Sequence, residues 1–339
     1  MGISEITQWQ TRQDGLNNLV LGTAPLQSPQ RGEVLVEIKA VSLNYRDLEV
    51  AQGLYGHHKA IKSGQIDPLV PCSDMCGIVV ANQGHFTGSI NPDIMKTGLS
   101  LPLDGALQTH RIFPEDALLK APEYLSDEEA SCLTIAALTA WMAMNQFRPL
   151  GKPGGKGEIV LLQGTGGVSI SGLQIAHAAG ATAIITSSSN SKLDRAKALG
   201  ADHVINYRDV PIWDDEVMRI SNGHGADIIF ETGGAKTVRK SFNSVAFGGV
   251  IASIGYVSGK QDDADDRTNI NVLALSRTVT LKGIINGPKD RFEEMLQFYE
   301  KHEIHPVIDR VFGFKEGKDA FTYLQKGSHF GKVVIKVSS

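Results

Sequence analysis

Between residues 158 and 180 the chain changes from a continuous apolar run to apolar residues at helical spacing, and a glycine cluster separates the two patterns. The first pattern predicts a buried strand and the second predicts a helix that ends at Gly180. Gly164 and Gly166 occupy the first two positions of a G-x-G-x-x-G pattern, and Ser169 occupies the third. Such a turn lets a pyrophosphate approach the helix N-terminus. The stretch predicts a dinucleotide site, although an ordinary strand–helix turn gives the same local pattern.

Strand-like and helix-like segments alternate from residue 182 to residue 254, which predicts βαβ units and a parallel sheet. Before residue 125, short segments with alternating polar and apolar residues are separated by Gly, Pro and Asn, as in an antiparallel β domain. Strand patterns return at residues 307–314 and 332–337. We therefore expect an α/β protein with a doubly wound Rossmann sheet and a second, β-rich domain that the end of the chain rejoins.

The first boundary signal lies near residue 126. Ser126 and Glu129 have the spacing of a capped helix start, and the turn-rich connector 149–157 leads into the buried strand. The expected domains are residues 1–125, the Rossmann domain 126–300, and a return to the first domain over residues 301–339.

The composition of the 339 residues excludes several classes of function. With 21% charged residues and a net charge of −4, the chain has no basic field that would attract nucleic acid. The N-terminal residues have no leader pattern, and the longest apolar run, about residues 132–144, falls short of the roughly 18 residues of a membrane span. The odd number of cysteines, three, suits a reducing compartment. We expect a cytoplasmic protein with buried cysteines that bind no metal.

The end of the predicted second Rossmann strand indicates the type of cofactor. An acidic residue there would hold the ribose hydroxyls of NAD. This chain instead has the sequence Thr-Ser-Ser-Ser at residues 186–189, followed by Lys192. Hydroxyl groups and a lysine suit a 2′-phosphate, so NADPH is the expected cofactor, although Lys192 alone has the alternative of a solvated surface charge.

Several motifs in a fixed order resemble one family. They are Asn44-Tyr45-Arg46-Asp47, the glycine-rich turn, Gly-Ala-Asp-His-Val-Ile-Asn-Tyr at residues 200–207, and Gly-Ser-His-Phe-Gly-Lys-Val-Val at residues 327–334. This combination resembles the medium-chain dehydrogenase/reductase superfamily, and within it the zinc-independent quinone oxidoreductase and enoyl reductase branch, which includes fungal alcohol dehydrogenase-like proteins. The resemblance implies a GroES-like β-barrel domain beside the Rossmann domain. It also implies a homodimer joined through Rossmann edge strands, here residues 278–284.

The resemblance further implies that the catalytic zinc is missing. Zinc-containing members have a cysteine where this chain has Asn44, and His-Glu where it has Ser73 and Asp74. Their third ligand falls at or near Ile135. The cysteine-rich lobe that holds their structural zinc is also absent from this sequence.

Without a metal, a carbonyl or enone must be polarised by hydrogen bonds. The resemblance assigns Asn44 and Tyr45 to the substrate pocket, and Tyr55 is a second candidate proton donor. Each tyrosine also has the alternative of a packing residue with a satisfied hydroxyl. The glycine-rich turn, the end of the second strand and the resemblance together give the candidate cofactor contacts, which are Asn44, Thr139, Gly164, Thr165, Gly166, Gly167, Val168, Ser187, Ser188, Lys192, Tyr207, Gly255, Ile285, Phe330, Gly331 and Lys332.

The expected function is NADPH-dependent reduction of an activated double bond, quinone or carbonyl of a small molecule. NADP-dependent alcohol oxidation is one alternative, and cofactor binding with little turnover is another. Residues 81–104 depart from the family pattern, which leaves the substrate open.

Overall fold

A computed structural model describes residues 4–56, 68–77, 91–261 and 269–338. The chain divides into two compact units: a first unit of Met1–Leu138 with Asn286–Ser339, and a second unit of Thr139–Ile285.

The first unit begins as an antiparallel β structure. Its elements are β1 (Glu5–Gln10), β2 (Val20–Pro25), β3 (Glu33–Leu43), α1 (Tyr45–Ala51), β4 (Asp74–Gly77), α2 (Pro92–Met95), β5 (His110–Pro114) and α3 (Asp127–Ala130), followed by a π-helical turn, Leu133–Ala137. Strand β1 pairs with β2, and β3 pairs with both β4 and β5, all antiparallel. Val36, Ile38 and Ala40 on β3 are fully buried, as the period-2 pattern requires.

The second unit is a six-stranded parallel sheet with helices. Its elements are α4 (Leu138–Asn145), β6 (Ile159–Gln163), α5 (Gly167–Ala179), β7 (Thr182–Ser187), α6 (Asn190–Ala198), β8 (His203–Asn206), α7 (Trp213–Ile220), β9 (Ala226–Glu231), α8 (Val238–Ser244), β10 (Val245–Ser253), α9 (Ile270–Ser276) and β11 (Thr280–Gly283). The strand order is β11-β10-β9-β6-β7-β8, which is the doubly wound Rossmann order. The predicted parallel sheet is therefore confirmed, and its topological switch point lies between β6 and β9.

The end of the chain completes the first unit. It forms α10 (Lys289–His302), β12 (Ile308–Gly313), α11 (Gly317–Gln325) and β13 (Lys332–Lys336). Strand β13 pairs parallel with β12 and antiparallel with β3. The fully buried Val333 and Ile335 of β13 join Phe321 of α11 in the core of this unit. The return that the strand pattern predicted is present.

The unit boundaries differ from the expected ones at 125/126 and 300/301. Residues 126–138 belong to the first unit because they pack on its sheet, where the Ser42 hydroxyl donates to Ser131 O at 2.9 Å. Helix α10 belongs there too, since the Tyr124 hydroxyl contacts Tyr299 O at 3.0 Å. The capping signal at Ser126 marked a helix start, whereas the boundary depends on which unit each helix packs on. No described helix has the length and apolar character of a membrane span.

Candidate functional site

The glycine-rich turn between β6 and α5 has room for a ligand. Gly164 adopts the left-handed conformation, with φ of 77°, and among the residues that the structure describes no neighbouring atom lies within 4 Å of a Cβ built on Gly164 or Gly166. Helix α5 begins at Gly167, and its N-cap, Gly166, has no side chain to cap the first N–H groups. Unsatisfied N–H groups at a helix start bind anions. The turn therefore fits the pyrophosphate of a dinucleotide.

Ser169 replaces the third glycine of the pattern without disturbing the turn. Its hydroxyl is buried and donates to Gln163 O at 2.7 Å, which ties the helix start to the end of β6. The close packing that the third glycine allows occurs one turn later, at Gly172. A Cβ there would lie 2.5 Å from Phe230 and 2.8 Å from Leu162. Ser169 thus ties the helix start to β6, while Gly172 provides the close packing that the third glycine of the pattern would allow.

A buried carboxylate, Glu231, lies at the end of β9 beside this turn, with a side chain only 1% exposed. Five donors bind it: the backbone N–H groups of Gly233 at 3.0 Å and Gly234 at 2.8 Å, the side-chain amide of Gln163 at 2.8 Å, and the hydroxyls of Thr237 and Ser241. Both carboxylate oxygens are therefore engaged.

Gln163 carries this network to the next strand. Its Oε1 accepts from Thr232 N at 3.2 Å and Gly233 N at 3.3 Å, while its Nε2 donates to Glu231 and Ser241. The network joins β6, β9 and α8 at the switch point, where open α/β sheets bind dinucleotides. Sequence reasoning missed it. The available signal was an acidic residue closing the apolar run of β9.

The candidate 2′-phosphate residues lie at the carboxyl ends of β7 and β8. Tyr207 N donates to Ser187 O at 3.0 Å, so the two strand ends are adjacent. Tyr207 is 41% exposed, Lys192 on α6 is half-buried, and Ser188 follows Ser187 in the same turn. Residues 186–192 contain hydroxyls, an amide and a lysine but no acid. The groups expected around a 2′-phosphate therefore share one edge of the sheet.

The other implied cofactor residues lie in both units. In the second unit, Thr165, Gly167 and Val168 form the turn and the first residues of α5, Thr139 is buried in α4, Gly255 follows β10 and Ile285 is the last residue. Asn44, Phe330, Gly331 and Lys332 belong to the first unit. Gly331 has a φ of 85°, and a Cβ there would lie 2.3 Å from Val307 O, so this glycine is required by the backbone. The proposed cofactor contacts of these residues remain predictions.

A cluster of polar and charged side chains is buried where β3, α1, β4 and β13 meet. The Lys332 ammonium contacts Leu43 O at 2.9 Å, Asn44 Oδ1 at 2.7 Å and Asp74 Oδ2 at 3.3 Å. The same Asp74 oxygen accepts from Asn44 Nδ2 at 2.8 Å and from the Ser42 hydroxyl at 3.0 Å. Three chain segments thus converge on Asn44, which sequence reasoning had singled out without these partners.

Burial controls the acids of this cluster. Desolvation raises the pKa of Asp47 to about 6, although Arg46, the Asn44 N–H and Lys332 lower it and Asp74 raises it further. Desolvation also raises the pKa of Asp74 against the opposing effects of Lys332, Asn44 and Ser42. Asp74 Oδ1 and Ser73 Oγ are buried and have no hydrogen-bond partner among the residues that the structure describes. Keeping these two carboxylates ionised in the buried cluster therefore costs free energy.

The two candidate tyrosines have different surroundings. Tyr45 begins α1 and is 47% exposed, which leaves it accessible to a substrate. Tyr55 is 9% exposed and packs with Val50, Leu69 and Leu101. The Arg46 guanidinium lies 5.0 Å above its ring. The geometry favours the packing alternative for Tyr55 and leaves Tyr45 as the candidate donor.

Comparison with known proteins supplies the family. The alcohol dehydrogenase GroES-like domain model matches residues 30–123, and the zinc-binding dehydrogenase model matches residues 167–301. A zinc-type alcohol dehydrogenase-like protein of Schizosaccharomyces pombe is 38% identical over 329 residues, with 90% of this chain and 91% of that protein covered. The chain belongs to the medium-chain dehydrogenase/reductase superfamily. It is therefore an oxidoreductase by family, and the predicted GroES-like and Rossmann domains are confirmed.

Solved structures of this superfamily share the fold over nearly the whole chain. An NAD-dependent alcohol dehydrogenase is similar with a TM-score of 0.84 and 28% identity, covering 98% of this chain and 100% of that one. A mycobacterial protein complexed with NADPH is similar with a TM-score of 0.75 and 22% identity, again covering 98% and 100%. Both descriptions name nicotinamide cofactors, and the two differ in the 2′-phosphate.

The residues at the family's catalytic zinc positions fit a divalent cation poorly. Asn44 offers an amide, Ser73 a hydroxyl and Ile135 a hydrocarbon, whereas zinc in proteins is bound by thiolate, imidazole or carboxylate. The Lys332 ammonium also contacts Asn44 Oδ1 and Asp74 Oδ2, and this positive charge would repel a metal ion. Zinc independence remains a prediction to which the structure adds a physical reason.

The three cysteines are buried and unpaired. Desolvation raises the pKa of Cys76 and of Cys132 to about 12 in each case and raises that of Cys72 as well. A thiol with a raised pKa is a poor nucleophile and a poor metal ligand, because both roles need the thiolate. The cysteines are therefore core residues.

Proposed function

We propose that this chain is an NADPH-dependent, zinc-independent reductase of a small molecule that carries an activated double bond, a quinone or a carbonyl group. The single observation that carries the proposal is the edge of the sheet at β7 and β8. There the backbone of Tyr207 donates to Ser187 O, Ser188 and Lys192 follow the end of β7 in the sequence, and residues 186–192 lack the acid that would hold the ribose hydroxyls of NAD.

In this proposal the second unit binds the cofactor, which supplies a hydride when bound. The glycine-rich turn holds the pyrophosphate at the N-terminus of α5, and the Glu231 network keeps the neighbouring loop in place. On the first unit, the half-buried Asn44 and the exposed Tyr45 donate hydrogen bonds to the substrate oxygen. Tyr45 is the candidate proton donor.

Replacing Lys192 by alanine tests the cofactor assignment. A lysine on a phosphate makes charge-assisted hydrogen bonds worth about 1.5–3 kcal/mol, so NADPH should bind about 10 to 100 times more weakly, while NADH binding barely changes. Lys197→Ala is the matched control, since Lys197 lies in the last turn of the same helix. Fluorescence titration of both cofactors is the measurement. Equal weakening of both, or a wild-type preference for NADH, would show that the assignment is wrong.

Alcohol oxidation is the second candidate, because two of the similar proteins are described as alcohol dehydrogenase-like or alcohol dehydrogenase. An alkoxide without a Lewis acid lacks a stabilising charge, so this activity goes with a bound zinc. Elemental analysis together with assays in both directions separates the two candidates. One tightly bound zinc per chain with alcohol turnover would favour the dehydrogenase, and NADPH binding without any turnover would favour a binding protein.

The oligomeric state is also part of the proposal. Strand β11 forms the edge of the sheet, and all four of its residues are exposed. Leu275 and Phe247, on neighbouring elements, are 79% and 76% exposed. Because an open sheet edge is a template for a second strand, we propose a homodimer joined through β11 in the cytoplasm. Light scattering at micromolar concentration should give twice the chain mass, and Leu281→Lys should lower it.

A further inference from the structure

Lys332 is a buried cation whose donors are all used. It begins β13, and its side chain is 4% exposed. An ammonium group has three N–H bonds, and here they have three acceptors: Leu43 O, Asn44 Oδ1 and Asp74 Oδ2. All three N–H bonds of the ammonium therefore have acceptors within this cluster, while the cofactor contact that the family resemblance implied for Lys332 stays a prediction.

The partners of the Asn44 carboxamide allow only one orientation. Its Oδ1 meets the ammonium of Lys332 at 2.7 Å, and its Nδ2 meets the carboxylate of Asp74 at 2.8 Å. An ammonium can only donate, and an ionised carboxylate can only accept. A flipped amide would place N–H against N–H and oxygen against oxygen. The backbone is held as well, since Asn44 N donates to Asp47 Oδ2 at 2.8 Å.

One hydrogen of Nδ2 has no partner among the residues that the structure describes. Asn44 is half-buried, whereas Lys332 and Asp74 are buried, so Asn44 is the most exposed of these three residues. A positive charge bound to the amide oxygen polarises the group and makes the remaining N–H a stronger donor, because hydrogen bonds in a chain strengthen one another. The buried ammonium thus polarises the amide.

We propose that Lys332 and Asp74 are positioning residues that fix and polarise Asn44, so that its remaining Nδ2 hydrogen donates to the oxygen of the substrate. This inference rests on the proposed reduction of a carbonyl or enone. It assigns the electrophilic role to one amide N–H supported by a buried cation, in the place where zinc-containing relatives use a metal.

The competing explanation is a structural ion pair between Lys332 and Asp74. A buried pair kept only for stability needs its remaining lone pairs satisfied. Asp74 Oδ1 has no hydrogen-bond partner among residues 4–56, 68–77, 91–261 and 269–338. The second Asp74 oxygen, by contrast, receives Asn44, Ser42 and Lys332 together. The contacts are concentrated on the oxygen that holds the amide.

The main test replaces Lys332 by methionine, with Lys336→Met as the matched control on the same strand. Lys336 is half-exposed and pairs only with Glu128 among the described residues. Removing one oriented donor in an oxyanion site costs about 10²- to 10³-fold in kcat. We expect Asn44→Ala to lose roughly 100-fold in kcat and Lys332→Met roughly tenfold or more, with the Kd for NADPH within about twofold of wild type.

Non-additivity distinguishes positioning from general damage. Adding Lys332→Met to Asn44→Ala should lower kcat by less than about twofold further, because the amide through which Lys332 acts is gone. Multiplied losses in the double variant would overturn the proposal. A Lys332→Met variant with normal kcat and weakened NADPH binding would overturn it too, in favour of a cofactor contact.

Two more variants decide the matter even if Lys332→Met fails to fold. Lys332→Arg keeps a side chain that can only donate hydrogen bonds, so it should retain a higher kcat than Lys332→Met. If Lys332→Met does not fold, the comparison is with Asn44→Ala, which should have a lower kcat than Lys332→Arg. Asn44→Asp keeps an acceptor for Lys332 but has no N–H, so it should lose as much kcat as Asn44→Ala. Wild-type kcat in Asn44→Asp would overturn the proposal.

The side-chain ¹⁵N resonance of Asn44, assigned by its loss in Asn44→Ala, reports the orientation independently of turnover. We expect it to move in Lys332→Met and to stay in Lys336→Met. If the wild type turns over none of the carbonyls and enones tried, the proposed function fails by itself. An unchanged Asn44 resonance in Lys332→Met would show that Lys332 does not position the amide.

Discussion

The two units each bury a carboxylate beside a candidate site, and the two carboxylates are treated differently. Glu231 in the second unit receives five donors on both oxygens. Asp74 in the first unit has its contacts on Oδ2, while Oδ1 has no hydrogen-bond partner among the described residues. A carboxylate with hydrogen bonds on both oxygens holds a loop in one conformation. A buried carboxylate with one unpartnered oxygen costs free energy, which the fold tolerates beside a reactive group.

The same difference separates the tasks of the two units. The second unit must present a turn of fixed shape to a cofactor, and its polar groups are bound to one another across β6, β9 and α8. In the proposed reaction the first unit polarises a substrate, and its cluster contains a buried ammonium bound to a half-buried amide. A fully hydrogen-bonded network makes a site rigid. Buried charges whose hydrogen-bonding capacity is only partly used can make a site reactive.

Replacing Glu231 by glutamine should have the largest effect on stability. The glutamine side chain would place its two N–H bonds against groups that donate to Glu231 in the wild type. At least two charge-assisted hydrogen bonds are therefore lost. Since hydrogen bonds to charged groups contribute about 1.5–3 kcal/mol each, we expect a loss of about 3–5 kcal/mol in the free energy of unfolding. Urea unfolding followed by circular dichroism measures it.

A change below about 1 kcal/mol in Glu231→Gln would break the comparison, because it would mean that the five donors find other partners easily. Asp227→Asn is an unsuitable control, since Asp227 is only half-buried. The better reference is Asp74, where the same carboxylate-to-amide change meets different surroundings.

Asp47 should give the next largest effect, seen as a dependence of stability on pH. Burial raises its pKa from 3.8 to about 6 in the folded chain. Protonation is therefore favoured in the folded state, so the carboxyl adds no cost below about pH 4 and an increasing cost as the pH rises through 6. Because a tenfold change in an acid constant corresponds to about 1.4 kcal/mol, the ionised group costs about 3 kcal/mol.

The difference between wild type and Asp47→Asn isolates this effect, because other acids titrate in both proteins. Relative to the variant, the wild type should gain about 3 kcal/mol as the pH falls from 7 to 4. Thermal unfolding at several pH values measures the trend. A difference that does not vary with pH would show that Asp47 is protonated, or ionised, equally in both states.

The sequence was sufficient for the elements and for the cofactor turn, because these depend on local patterns. Apolar periodicity predicted β6, α5 and the alternating elements that follow, and the glycines predicted the turn. The two compact units divide at 138/139 and 285/286 and not at the expected 125/126 and 300/301, because the capping signal at Ser126 marks where a helix starts and not which unit the helix packs on.

The buried networks could not be predicted because they depend on pairing between distant segments. Lys332 and Asp74 are 258 positions apart, and they meet only because β13 and β4 both pair with β3. Glu231 and Gln163 are 68 positions apart and meet because β6 and β9 are neighbours at the switch point. The sequence shows a charged residue in each apolar strand, but it does not show which distant residue that charge contacts.

Replacing Asp74 by asparagine should have the smallest effect on stability and completes the comparison with Glu231→Gln. Burial raises the pKa of Asp74, so desolvation opposes the negative charge that asparagine would remove. The asparagine can keep its oxygen toward Lys332 and Asn44 and place its amide nitrogen at the position of Oδ1, which has no described partner to lose. The Lys332 ammonium then keeps three oxygen acceptors, and Asp47 still lies near enough for Lys332 to lower its pKa. We expect a change of less than about 1 kcal/mol in the free energy of unfolding, against about 3–5 kcal/mol for Glu231→Gln. Urea unfolding of the two variants side by side measures both. Equal losses would mean that the unpartnered oxygen of Asp74 carries as much stabilisation as the saturated carboxylate of Glu231, and the distinction between the two units would fail.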